Sequence, residues 1–193
     1  MRLHRYLKQD MIDLAFDPLA APATKAEDPR FASAPAEEED EDEGGGEGEE
    51  PTRRELWDQK VRILEGLVGL LDRSGRVTNP RKCLIDLRNR EAKASTALGR
   101  GIAIPHVRTP QAKGFVLAVA VAPEPGLWFD AIDEEPVRLF LPMVAPSHDD
   151  RYYLKVERAL AAAFADEDDP LRDQLLEAAS PGEVIKLLAD RLD

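Results

Sequence analysis

After Thr52 the apolar residues recur at helical spacing. Trp57, Val61, Leu64, Val68 and Leu71 form one stripe, and Ile63, Leu67 and Leu70 widen it. This period predicts a helix with one face on a core. Thr52-Arg53-Arg54-Glu55 has capping-box spacing at its start, and Ser74-Gly75 marks its end. Asn79-Pro80 offers an N-cap and a first-turn proline for a second helix. Its inner face carries Cys83, Leu84 and Leu87, and it runs out near Arg90-Glu91.

Elsewhere the pattern is that of strands. Ile12, Leu14 and Phe16 alternate with Asp13 and Ala15, which predicts a half-buried strand. Phe115 to Ala122 is apolar on both faces and predicts a central strand, broken by Pro123, Pro125 and Gly126. Trp128 to Asp133 reads as a turn-rich connection. Val137 to Val144 is a further apolar strand, in which Pro142 points to an edge, a bulge or a strand end. From Asp149 or Asp150 a helix carries Tyr153, Val156, Leu160 and Phe164. Asp169-Pro170 opens a short helix with Leu171, Leu175 and Leu176. Ser180-Pro181-Gly182-Glu183 repeats the capping-box spacing before a last helix that buries Val184, Ile185, Leu188 and Leu192. Strands interleaved with helices make a layered α/β sandwich.

Composition changes this picture in one place. Of the 38 acidic residues, ten lie in residues 37–50, which hold no base, and the rest of the chain is near neutral with 28 acids against 26 bases. The net charge of −12 is therefore mostly local. It argues against nucleic acid or an anionic membrane as the main partner. Residues 21–51 are rich in Ala, Pro, Glu and Gly, too poor in apolar surface to offset the entropy of ordering, and predict a disordered acidic insertion. The division is then a first-strand region at 1–20, the insertion at 21–51 and the main body at 52–193. The longest apolar run has eight residues, far short of a membrane span, so no membrane insertion is expected. The basic start, Met1 to Lys8, leads to Asp10 and Asp13, not to an apolar stretch, so no secretory signal is read there. The single Cys83 excludes an internal disulfide, and a cytoplasmic protein is expected.

The candidate chemistry centres on Arg100-Gly101-Ile102-Ala103-Ile104-Pro105-His106-Val107-Arg108. Pro105 fixes its own φ and pushes Ile104 towards an extended backbone, so His106 stands stiffly at a strand end. Gly99 and Gly101 permit close backbone approach and unusual dihedrals. Arg90, Arg100 and Arg108 lie within sixteen residues of it and favour an anion, phosphate above all. Neutral imidazole is a nucleophile suited to phosphoryl groups. The blander alternatives are a packed loop histidine, a helix C-cap cation at Arg90 and solvated charge at Arg100 and Arg108. Three histidines and one cysteine, widely scattered, make no metal set, and no cofactor is called for.

The stretch from Arg90 to His106, REAKASTALGRGIAIPH, resembles the active-site signature of the fructose/mannitol-type enzyme IIA domains of the bacterial phosphoenolpyruvate-dependent phosphotransferase system. The nitrogen-regulatory branch shares that signature. The resemblance runs from about Ile12 to Leu188, the insertion excepted. It implies that family's fold, a mixed and mostly parallel β-sheet flanked by helices. It also implies that His106 accepts a phosphoryl group from phospho-HPr, or from a nitrogen-type HPr paralogue, and passes it to a IIB domain. Arg90 then matches the arginine that stabilises the phosphoryl group. Ser95 and Thr96 match the small hydroxyl residues beside it, Arg108 matches the basic residue of the ending, and Gly99 and Gly101 offer backbone donors.

Two departures stand out. Ala97 occupies a position where the family usually has glycine, so a positive φ there would strain the loop. Tyr153 stands where many members carry a second histidine, and His148 lies five residues earlier as a displaced substitute or an exposed loop residue. The rival reading is a non-transferring regulatory module that binds a target protein according to phosphorylation. Deleting residues 24–50 is expected to leave the thermal midpoint nearly unchanged; a large loss in a melting experiment would show that the insertion packs.

Overall fold

The computed structural model describes residues 6–20, 51–148, 150–166 and 168–192; the insertion read at 21–51 lies, but for Pro51, outside them. A 3-10 turn, Gln9–Met11, leads into β1, Ile12–Asp13. Two helices follow, α1 Arg53–Asp72 and α2 Pro80–Glu91. Then come six short strands: β2 Ala97–Gly99, β3 Ile102–Ala103, β4 His106–Arg108, β5 Val116–Leu117, β6 Val119–Val121 and β7 Leu139–Phe140. After β8, Met143–Ala145, the chain ends in three helices, α3 Asp150–Ala163, α4 Leu171–Glu177 and α5 Pro181–Leu192. None of the described helices is long and apolar enough to cross a membrane.

The helix starts follow their capping chemistry. The Thr52 hydroxyl accepts from the Glu55 N–H while the Glu55 carboxylate accepts from the Thr52 N–H at 2.9 Å, a complete reciprocal box. Asn79 accepts from the Lys82 N–H at 3.0 Å, with Pro80 in the first turn. On α1 the buried face is Ile63, Leu64, Leu67, Val68, Leu70 and Leu71, with Trp57 and Val61 only half-buried at its flank. Gly66 of α1 is a close approach: a Cβ there would meet the Phe16 ring at 2.9 Å, so glycine lets the N-terminal segment lie against the helix.

The sheet is mixed, as the resemblance implies, but the pairings divide evenly instead of being mostly parallel. Among the described strands β1–β6, β3–β7 and β4–β8 run parallel, and β2–β3, β5–β8 and β6–β7 antiparallel. There are two sheets, ordered β1-β6-β7-β3-β2 and β4-β8-β5. The expected central strand Phe115–Ala122 and the strand Val137–Val144 each divide, one half in each sheet, as does the chain from Ile102 to Arg108. Prolines explain the break. Pro105 and Pro142 have no N–H to give to a ladder. Three bonds carry the chain across instead, from Leu141 N–H to Ala103 O, from Met143 N–H to Pro105 O, both at 2.9 Å, and from Ala118 N–H to Pro142 O at 3.0 Å. His106 is thus the first residue of the second sheet, paired with Met143.

A buried polar knot joins α1, α2 and the turn that leads to β2. Lys60, only 1% exposed, places its ammonium 3.0 Å from Glu91 Oε1, 3.2 Å from the Ser95 hydroxyl and 4.6 Å above the Phe129 ring centroid. Glu91 accepts from the Thr96 N–H at 2.8 Å and from its hydroxyl at 2.7 Å. Removing one partner of such a pair strands the other charge in the core. Lys60→Met is expected to lower the unfolding free energy by about 3–5 kcal/mol in urea titrations. A loss of about 1 kcal/mol or less would show that Glu91 does not depend on it.

Candidate functional site

The C-terminal end of α2, strand β4 and helix α3 converge on one cleft of about 620 Å³. Asp86, Asn89, Arg90 and Lys93 line it from the α2 side, His106, Val107, Arg108 and Pro110 from β4 and its continuation, Ser147 from the loop after β8, and Tyr153 and Glu157 from α3. His106 is 8% exposed at the junction of the two sheets.

Both ring nitrogens of His106 have defined partners. Nδ1 lies 2.6 Å from the Ile104 carbonyl oxygen, which only accepts, so Nδ1 carries the proton. In the neutral ring Nε2 is then the unprotonated nitrogen, and it accepts from the Arg90 guanidinium at 3.2 Å. Arg90 is itself tethered by a bond to the Ala94 carbonyl at 3.0 Å. Burial, in the first place, holds the imidazole pKa below its ordinary 6.5, and the Arg90 charge adds to this against the Ile104 carbonyl, Glu157 and Glu91. The resting ring is neutral and its nucleophilic lone pair faces the cleft beside a cation.

Tyr153 packs edge-on to the His106 ring, with centroids 5.8 Å apart, and the Arg108 guanidinium carbon lies 5.8 Å from the tyrosine centroid. Burial pushes the Tyr153 phenol up to about 12, so the residue is a neutral wall and donor. His148 is exposed in the turn after β8 and is not among the cleft-lining residues.

Four of the residues read as phosphoryl-binding stand elsewhere. Ser95 and Thr96 face the buried knot, where the Thr96 hydroxyl is committed to Glu91, and the Ser95 hydroxyl accepts from Lys60 and lies 3.2 Å from the Phe129 carbonyl oxygen. Gly99 and Gly101 form the β2–β3 turn, at φ +85° and +70°, with Arg100 between them at +53°. That turn already holds an anion: the Asp133 carboxylate accepts from the Arg100 N–H at 2.5 Å. The bond holds the Asp133 carboxyl below its usual range. A phosphoryl group there would meet a like charge. The Arg100 side chain turns to the Phe164 carbonyl and away from the cleft residues. Ala97 is not among the residues at positive φ, so alanine brings no strain to that position.

Two participants escape the sequence pattern. Lys60 lies within the apolar stripe of α1, a charged residue that the helical pattern does not single out. Glu157 lies one helical turn beyond Tyr153, and its Oε1 is 3.4 Å from His106 Nε2. The i, i+4 spacing from Tyr153 is the signal that would have brought it to the same face.

The chain is similar to known proteins. Residues 52–191 match the family model described as "Phosphoenolpyruvate-dependent sugar phosphotransferase system, EIIA 2". The chain is 35% identical over 127 residues to the PTS system fructose-specific EIIA component of Haloferax volcanii, covering 66% of this chain and 80% of that one. It is 30% identical over 131 residues to a nitrogen regulatory protein of Pseudomonas aeruginosa, covering 68% and 83%. The crystal structure of nitrogen regulatory protein IIA-Ntr from Neisseria meningitidis superposes with a TM-score of 0.61 at 32% identity, over 67% of this chain and 86% of that one. With the cleft, the two-sheet fold and a match across most of its length, the chain belongs to the EIIA type 2 family of the phosphoenolpyruvate-dependent sugar phosphotransferase system.

Proposed function

We propose that His106 Nε2 is the atom that receives and gives up the phosphoryl group. The observation that carries this reading is the 2.6 Å bond from Nδ1 to the Ile104 carbonyl, which leaves the Nε2 lone pair as the nucleophile at the cleft. In the transfer, that lone pair forms a new N–P bond. The N–P bond of the donor, phospho-HPr or a nitrogen-type paralogue, breaks, and its electron pair returns to the donor nitrogen. The proton stays on Nδ1, which donates it in a hydrogen bond to the Ile104 carbonyl, and that bond supports the positive charge that the ring gains. In the second step a nucleophile of the acceptor takes the phosphoryl group and the electrons of the His106 N–P bond return to Nε2. The carrier works in the cytoplasm, where these partners are.

The protein's contribution is position and charge, since the transferring group spreads negative charge over its equatorial oxygens. Arg90 is placed for those oxygens, being beside Nε2 and pinned at its other nitrogen. Arg108 and Lys93, at the cleft wall, add positive potential. Tyr153 packs edge-on against the ring and limits its motion. Ser95 and Thr96 act at a distance, through Glu91, by holding the segment that ends in His106.

The acceptor is a IIB domain or a regulated target protein. The likeness to the fructose-specific EIIA component of H. volcanii supports the first, and the likeness to the nitrogen regulatory protein of P. aeruginosa supports the second. Onward transfer to a IIB domain supports carriage; stable phosphorylation with altered target binding supports regulation.

Incubation with phosphoenolpyruvate, enzyme I and HPr is expected to add one acid-labile phosphoryl group by intact-mass analysis, and His106→Ala to abolish it while keeping the circular dichroism of the parent. A variant still labelled on histidine would overturn the assignment. Arg90→Gln is expected to slow uptake by about a hundredfold in rapid-quench measurements, the scale for losing one aimed charge donor.

Titration gives a third check. With its pKa lowered by folding, His106 binds fewer protons in the folded than in the unfolded chain near its ordinary 6.5. Its contribution to stability is therefore complete above that pH and is lost as pH falls. Ring NMR is expected to show a His106 midpoint below 6.5. A midpoint above it would contradict the neutral resting ring.

A further inference from the structure

We infer that Glu157 sets the balance of the phosphorylation, acting as a built-in repulsive charge that keeps phospho-His106 ready to transfer. This rests on the reading of His106 Nε2 as the phosphoryl-bearing atom. Glu157 Oε1 lies 3.4 Å from that nitrogen and Arg90 Nη2 lies 3.2 Å from it, so one carboxylate and one guanidinium share the same atom. Glu157 is a third exposed at its side chain, and among the described residues no other hydrogen bond or ion pair fixes its carboxylate. The His106 side chain is only 10% exposed, so the pair is partly shielded from water and salt.

The consequences differ between the states of the ring. In the neutral ring Nε2 accepts from Arg90, and the Glu157 carboxylate faces a lone pair. In the protonated ring the Glu157 carboxylate faces a positive charge, and that attraction raises the proton affinity of His106 while burial and Arg90 lower it. In the phosphorylated ring the carboxylate faces a dianionic group bonded to the atom it touches, and like charges at this range disfavour that state. Glu157 must then turn towards solvent, for which its partial exposure leaves room. Arg90 draws the phosphoryl group in and Glu157 limits how tightly it is kept. Other charges around the ring are Glu91 from α2, Arg108 from β4, and Asp86 and Lys93 at the cleft wall, with the neutral Tyr153 phenol from α3. Among the carboxylates of the described residues, Glu157 is the one that pairs with Nε2.

Glu157→Gln keeps the shape and removes the charge. In the equilibrium with HPr, reached with phosphoenolpyruvate and enzyme I and then freed of the donor, the variant is expected to hold about threefold more phosphoryl group relative to HPr than the wild type. The half-life of its phosphoform is expected to lengthen by a similar factor, and both differences to shrink as salt is raised. Ring NMR is expected to show the His106 midpoint lower in the variant. An acid–base role of Glu157 in hydrolysis would change the half-life without moving the equilibrium. A wild type that takes the phosphoryl group on His106, with a Glu157→Gln variant unchanged in equilibrium ratio and ring titration, overturns the inference alone. A wild type that takes none overturns the phosphocarrier reading and the inference with it.

Discussion

The Glu91 carboxylate is the tie on which the rest of the site depends. It ends α2 next to Arg90, receives the Lys60 ammonium from α1, and accepts both the N–H and the hydroxyl of Thr96. The Thr96 carbonyl in turn accepts from the Ile104 N–H at 3.0 Å, and the Ile104 carbonyl orients His106. One buried anion thus links the cation beside the imidazole to the backbone that sets its tautomer. Lys60, Glu91, Thr96 and Ile104 do not line the cleft, yet they decide the shape of the reacting atom's surroundings. A buried pair of this kind adds little net stability over an apolar replacement, yet its geometry is specific. The Phe129 ring above Lys60 and the Ser95 hydroxyl beside it supply the contacts that water would otherwise give.

The second constraint is the division of the sheet. Three successive passages of the chain leave one sheet and enter the other at a common level, and at two of them a proline stands at the crossing. Because proline cannot donate, the regular ladder stops there, and the strand beyond can take a new direction. His106 sits at the first position after such a crossing. Its ring can fold back on the carbonyl of Ile104, two residues earlier, because Pro105 lies between them and fixes the bend. A histidine within a regular strand has no carbonyl of its own chain placed that way.

Charge at the cleft is arranged by opposition. The glycine-rich turn that precedes β3 is closed by Asp133, so its N–H groups serve structure. The anion-attracting groups are Arg90 and Lys93 from the α2 side and Arg108 from β4; Asp86 stands with the first two, and Glu157 comes in from α3. The cleft therefore holds cations and carboxylates together, with a neutral imidazole among them. This suits a group that must arrive and depart again.

How much of this was legible beforehand depends on the range of the interactions. Caps at Thr52 and Asn79, the stripe on α1, and the punctuation by Pro105 and Pro142 are local, and the sequence alone determined them. The pairing of His106 with Arg90 was legible too, because a long local signature carries both. What the tertiary structure alone decided is where the partners of opposite charge lie. Lys60 carries no signal in the local pattern, and its partner Glu91, 31 positions on, meets it only in the packed core. Ser95 and Thr96 look free to bind phosphate until that same carboxylate claims them, and Gly99 and Gly101 look like an anion cradle until Asp133 fills it. Glu157 reaches His106 from 51 positions away. Local propensity ends at a few residues along the chain, whereas Coulomb attraction and hydrogen bonding act through space, and only the packed fold supplies those distances.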